Sequence, residues 1–196
     1  MQSAQFILAS ASPRRKLLLE KAGYRFTVQP SEVDEAAFEV VGIDSATLCR
    51  QLALAKANEV ARRYPDRFVL GSDTVVDLDG EIIGKPADAA HAEAITRKLF
   101  SRPHKVITGL ALVCIAKGIE IVEVDTTTVY PRKLTEAQIA EHIRKGDWQG
   151  KAGAYGIQET GDEFVERIEG SFTNVMGLPM ERVEKLLRSH GITAQK

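Results

Sequence analysis

Little in this 196-residue chain suits a disulfide scaffold, a membrane span or a histidine-built metal cage. Cysteine occurs twice, at Cys49 and Cys114, far apart and each in apolar surroundings. Such usage fits two reduced core thiols rather than a disulfide framework. The four histidines, His91, His104, His142 and His190, have no metal-ligand spacing. No long apolar stretch of the signal-peptide kind opens the chain, and the longest later apolar run, LALVCIA, is far too short to cross a bilayer. Charge of one sign is missing as well: Lys and Arg total 26 against 27 for Asp and Glu, a net charge of −1. Without a global basic field there is no expectation of a nucleic-acid or membrane partner, and any anion must be bound by a local cluster. A cytoplasmic protein is expected.

What is present is patterned. Hydrophobic residues make up 44% of the chain, enough at this length for one sizeable core or two small lobes around a cleft. No repeat, linker or low-complexity tract divides it, so a single α/β domain spanning residues 1–196 is expected. QFILAS reads as a buried strand, residues 13–23 as a helix ending at Gly23, and YRFTVQP as a strand. After the acidic loop SEVDEAAFEVVG, Asp44 or Ser45 caps a long helix that Pro65 stops. RFVLGSDTVVDL and EIIGKP flank a DG turn and predict a hairpin. A helix over 88–100 follows, then a long hairpin, HKVITGLALVCIA to IEIVEVDTTTVY, whose change of phase near Ile121 and Val122 predicts a bulge. TEAQIAEHIRKG has the acidic start, basic end and closing glycine of a helix. KAGAYGIQETG is unassigned, EFVERIEG predicts a short strand, and residues 179–190 a last helix opened by Pro179.

Several residues sit where they should cost stability. In SASPRRKLLLEK, Ser12 and Pro13 open a helix and put Arg14 and Arg15 beside the positive end of its macrodipole, at about 0.3–1 kcal/mol each if exposed. Lys56 lies in the middle of the apolar face formed by Cys49, Leu52, Ala53 and Val60. Either its stem packs while the ammonium reaches water, or the cation is aimed into a cleft. On the second reading Lys56→Met should hold or raise the melting temperature while weakening ligand binding. Asp73 interrupts the apolar run RFVLGSDTVV, where an ionised side chain is costly unless it faces water, a cation or a metal. Lys85, in IIGKP, and Asp34 and Glu35, in SEVDE, each read alone as ordinary turn or loop chemistry.

Taken together, Arg14, Arg15, Lys56 and Lys85 with Asp34, Glu35 and Asp73 are what a polyphosphate bound with a divalent metal requires: cations for the oxygens, carboxylates for the metal and a base for water. An anion seated on Ser10, Ser12, the helix N-terminus and the two arginines would remove the dipole conflict. The chain has no Walker-type phosphate loop.

LASASPRRKLL, SEVDE, LALAKA, GSDTVV, GKP, TGLAL, KAGAYGIQ and GSFTNVMGLP occur in the order seen in the Maf family of nucleoside triphosphate pyrophosphatases, and the chain resembles that family from about Ile7 to Leu187. The resemblance implies an ITPase-like α/β fold: a mixed, bent sheet with flanking helices and a central cleft between two lobes, often in a homodimer. It also implies divalent-metal-dependent hydrolysis (Mg²⁺, Mn²⁺ or Co²⁺) of a nucleoside triphosphate to monophosphate and pyrophosphate. The family's general base falls on Asp73, and its other polar positions on Ser10, Arg15, Glu35, Lys56 and Lys85; Lys151, in KAGAYGIQ, is expected to bind substrate. Glu35 and Asp73 are the expected metal ligands; the residues alone do not say which carboxylate is base and which is ligand.

Within the family, Arg14, Thr74 and Gln158 resemble the dTTP/UTP branch rather than the 7-methyl-GTP branch. Gly150 departs from the acidic residue familiar in DKAG. Gln158 offers a donor and an acceptor to the imide edge of uracil or thymine, with Thr74 and Arg14 adding donors. The competing readings are a nucleotide-binding regulator of division without essential catalysis, a phosphomonoester hydrolase on the same anion cradle, and a 7-methyl-GTP pyrophosphatase.

Overall fold

The computed structural model describes residues 5–38, 42–157 and 163–195. Its centre is a seven-stranded mixed sheet with the spatial order β2-β1-β3-β5-β6-β7 and β4 paired to β3. The strands are β1 (Phe6–Leu8), β2 (Phe26–Val28), β3 (Val69–Leu78), β4 (Glu81–Ile83), β5 (His104–Cys114), β6 (Ile119–Pro131) and β7 (Val165–Glu169). β1 runs parallel to both β2 and β3; the other pairs are antiparallel.

The helices begin where their caps place them. Ser12 precedes α1 (Pro13–Lys21), and Asp44 accepts from the Thr47 N–H at the start of α2 (Ser45–Arg63). Asp88 caps α3 (Ala89–Leu99), and Thr135 and Gln138 form a capping box on α4 (Glu136–Lys145). A short helix α5 (Phe172–Val175) precedes α6 (Met180–Arg188), for which Pro179 is the cap residue rather than the first helical one. The expected bulge is displaced. β5 and β6 stay in register through Ile121 and Val122, and the irregularity falls at Tyr130 and Pro131 against β7, where proline has no N–H for the ladder.

Strand alternation sorts the packing. Val69, Gly71, Asp73 and Val75 of β3 face α2, with Ile107 and Ala111 of β5 alongside. Leu70, Val76 and Leu78 face the larger cluster, which includes Leu19 of α1, Leu99 of α3 and Leu187 of α6. A side chain at Gly71 would run into the Ala53 carbonyl oxygen, and one at Gly109 into that of Cys49. These two glycines let α2 lie directly on the sheet.

Pairing along β3 leaves a gap. β5 covers one edge from Val69 to Asp77. On the other edge β1 pairs only with Val69 and Leu70, and β4 begins at Val76. The backbone from Gly71 to Val75 therefore borders an opening in the sheet beyond the end of β1.

Candidate active site

A cavity of about 440 Å³ fills that opening. Ser10, Ser12, Arg14, Arg15, Glu35, Lys56, Asp73, Thr74, Lys85 and Lys151 all line it, so nearly every residue singled out from the sequence converges there. Gln158 lies outside the described residues.

Lys56 comes from the middle of α2, which the two glycines hold against the sheet and which Ser45 ties to Asp77 through its hydroxyl. Its ammonium sits 2.6 Å from Asp73 Oδ1 and 2.7 Å from Glu35 Oε1. Lys56 and Asp73 are both buried, whereas the Glu35 side chain keeps 44% of its exposure. The lysine is thus aimed into the cavity and already paired. Lys56→Met is therefore expected to lower the melting temperature rather than hold or raise it, because the substitution would strand a buried carboxylate.

Glu35 opens a single turn that Asp34 caps from the Ala36 N–H, while Asp34 itself stays exposed. Burial pushes the Glu35 carboxyl upward; its bond and charge attraction to Lys56, reinforced by Lys85, outweigh that and hold it below the ordinary carboxylate range. Lys85 stands at the mouth, 3.5 Å from Glu35 Oε2.

Arg15 is buried, and four of its five N–H donors have partners. Nε donates to the Gly177 carbonyl at 2.8 Å. One terminal nitrogen donates to Ser10 Oγ at 3.1 Å and to the Ser72 carbonyl at 2.8 Å; the other reaches Thr74 Oγ1 at 3.1 Å. The Ser72 contact continues the ladder in which Leu70 accepts from the Ala9 N–H. Each of these acceptors is neutral, so the guanidinium is desolvated without a counter-ion in contact among the described residues. Burial accordingly pulls it down from its ordinary value, with Asp73 partly restoring it. An incoming anion would complete this site.

Ser10 Oγ also accepts from the Ser12 N–H, and Ser12 Oγ from the Arg15 N–H. The Thr74 hydroxyl is held between Arg15 and Thr108 rather than left open for a base. Lys151 is buried between the 146–150 turn and the single helical turn Ala152–Ala154, and lines the cavity.

The sequence reading missed the apolar wall formed by Val76, Val106, Tyr155, Ile157, Val175 and Met176. Tyr155 is fixed by a 2.8 Å bond between its hydroxyl and His104 Nε2 and by the edge of Phe100. Only the place of Tyr155, Ile157, Val175 and Met176 inside KAGAYGIQ and GSFTNVMGLP, not their residue types, could have pointed to them. Cys49, pushed up to about 12 mainly by burial, and Cys114 are unpaired core thiols. Among the described residues no cluster of three or more His, Cys, Asp or Glu side chains could hold a metal, and no helix is long and apolar enough to cross a membrane.

A cavity lined by cations and carboxylates and also by an apolar wall defines a site for an amphipathic polyanion. The family model described as "Maf-like protein" matches residues 5–190, and the chain belongs to that family. The chain is 44% identical over 186 residues to a dTTP/UTP pyrophosphatase of Koribacter versatilis, covering 95% of this chain and 94% of that one. It is 43% identical over 191 residues to one of Citrifermentans bemidjiense, covering 97% and 98%. A third, of Symbiobacterium thermophilum, is 45% identical over 188 residues, covering 95% and 94%. Among solved structures, the Staphylococcus aureus Ham1 protein overlaps 65% of this chain and 72% of its own, with a TM-score of 0.42 at 17% identity, a likeness too loose to argue from.

Proposed function

We propose that this chain is a nucleoside triphosphate pyrophosphatase that cleaves dTTP and UTP to the monophosphate and pyrophosphate, clearing unwanted nucleotides from the pool. The observation that carries the reading is the buried Lys56–Asp73 pair, bridged to Glu35, in the same cavity as a buried Arg15 whose acceptors are all neutral. The names of the relatives support the choice of nucleotide.

In this reading Arg14, Arg15, Lys56, Lys85 and Lys151 neutralise the triphosphate and the departing pyrophosphate. Asp73 Oδ1 accepts from the Lys56 ammonium, which fixes the carboxylate and leaves Oδ2 to take a proton from the water attacking the α-phosphorus. The base rests on the apolar wall beside Tyr155, and Gln158 reads its imide edge. Ser10, Ser12 and Thr74 act mainly by holding Arg15 and the first turn of α1 in place.

The donor set fits a divalent cation that arrives with the substrate. Glu35 and Asp73 offer two hard oxygen-donor groups, with no third protein ligand beside them among the described residues, as suits Mg²⁺, Mn²⁺ or Co²⁺ when phosphate and water supply further oxygens. When bound, the metal would screen phosphate charge and polarise the phosphoryl oxygens. The reading includes the whole chain as one domain and a cytoplasmic homodimer, the assembly resting on the family resemblance alone.

The deciding experiment is a nucleotide panel with each of the three metals, scored for pyrophosphate and monophosphate. Stoichiometric pyrophosphate from dTTP and UTP, with little from 7-methyl-GTP, is expected. Tight binding without turnover would favour a regulator, and orthophosphate alone a phosphatase.

A further inference from the structure

The 171–178 turn carries no charged residue, yet it governs where Arg15 points. Gly177 receives the Arg15 Nε bond at 2.8 Å while holding φ +105°, a backbone conformation that L side chains rarely adopt. Its own N–H donates to the Asn174 carbonyl at 2.9 Å. Asn174 is wholly buried, and its Nδ2 donates at 3.0 Å both to the Val106 carbonyl of β5 and to Thr127 Oγ1 of β6. A second route leads to the same guanidinium. The Asn174 carbonyl accepts from Thr108 Oγ1 at 3.4 Å, Thr108 meets Thr74 Oγ1 at 2.9 Å, and Thr74 accepts from Arg15 at 3.1 Å.

Asn174 Oδ1, by contrast, is buried without a partner among the described residues. If the residue only filled space, an apolar side chain of similar volume would serve without stranding an acceptor. Its value lies in its two donors and in the turn they fasten.

We propose that Asn174 is a positioning residue for phosphate capture: it pins the 171–178 turn to β5 and β6, so that Gly177 and Thr74 hold the Arg15 guanidinium against the cavity. The inference rests on the reading of Arg15 as a phosphate-binding cation.

A double-mutant cycle of Asn174→Leu and Arg15→Lys tests it. The measurements are Tm, KM and kcat for dTTP, and inhibition by two probes: inorganic tripolyphosphate, which has no base, and thymidine, which has no phosphate. Asn174→Leu should stay folded and raise both KM and the tripolyphosphate inhibition constant roughly 10-fold, the scale of one misplaced charge-assisted bond. Inhibition by thymidine and kcat should change little. In the Arg15→Lys background the Asn174 change should add almost nothing. Unchanged tripolyphosphate affinity, equal weakening of both probes, or full additivity with Arg15→Lys would each overturn the proposal. Arg15→Lys with normal tripolyphosphate affinity would instead overturn the phosphate role of Arg15, and the proposal with it. Should Asn174→Leu fail to fold, Gly177→Ala probes the same clasp, since an added methyl would meet nothing closer than Thr74 Oγ1 at 3.5 Å while the backbone is forced to turn. The same selective loss is expected from it, and its absence counts equally against the proposal.

Discussion

Replacing Lys56 with methionine keeps an apolar stem and removes the ammonium, and what it strands decides the outcome. Asp73, only 7% exposed, loses the cation 2.6 Å from its Oδ1. Glu35 loses a partner too, but its half-open side chain can turn to water and to Lys85. The loss is therefore dominated by Asp73. Stripping one member from a buried ion pair costs about 3–5 kcal/mol. In a chain of this size each kcal/mol shifts the midpoint by about 2–4 °C, so Tm should fall by about 6–20 °C. Adding Asp73→Asn removes the stranded charge, and the double variant should recover most of the fall. Calorimetry on the four proteins at pH 7 makes the comparison. A Lys56→Met protein that melts at or above wild type would refute the assignment of Lys56 as the counter-ion of Asp73.

Asp73→Asn alone should keep KM near normal and lower kcat by roughly 10²-fold or more, the scale of general-base catalysis, in a steady-state pyrophosphate assay. Gly109→Ala forces a methyl into the Cys49 carbonyl; lifting α2 should lower Tm and abolish turnover together, and a normal melt with normal activity would contradict the packing. Burial holds His104 down at about 4, so below about pH 6.5 the unfolded chain takes a proton that the folded one refuses. That stability is whole above about pH 6.5 and is lost as pH falls toward 4, and melts across this range should slope less in His104→Gln. Gln158→Glu should cut dTTP and UTP turnover by the roughly 1–3 kcal/mol of an unpaired carbonyl, read as a changed ratio to 7-methyl-GTP.

The charged residues of the site were legible because each broke a local rule. Lys56 interrupted an apolar helix face, Asp73 an apolar strand and Arg15 the first turn of a helix, and such breaks cluster at functional sites. All three line one cavity. Their pairing was not legible, since the Lys56–Asp73 contact depends on how closely α2 seats on β3, and that is set by the absence of side chains at Gly71 and Gly109. The Arg15 clasp was hidden for another reason: its partner Gly177 lies 162 residues along the chain and offers only a carbonyl. The apolar wall follows the same rules as any core, so nothing in its composition separated Tyr155 or Met176 from residues that merely pack. The element pattern itself held for the longer helices and the hairpins, where caps and alternation act locally; it missed the four-residue α5 and misplaced the bulge, which falls where Pro131 meets β7 without an N–H to give.

The seat of α2 on the sheet also limits how the family can diverge. Neither Gly71 nor Gly109 has a positive φ, so the backbone at both positions would accept other residues; distance alone forbids them. A descendant that acquires even a methyl group there must first raise the helix, and the raised helix takes its lysine away from the aspartate. Innovation at this site is then expected to enter through the apolar wall and the loops around it, leaving the helix-to-sheet contact as the slowest part of the molecule to change.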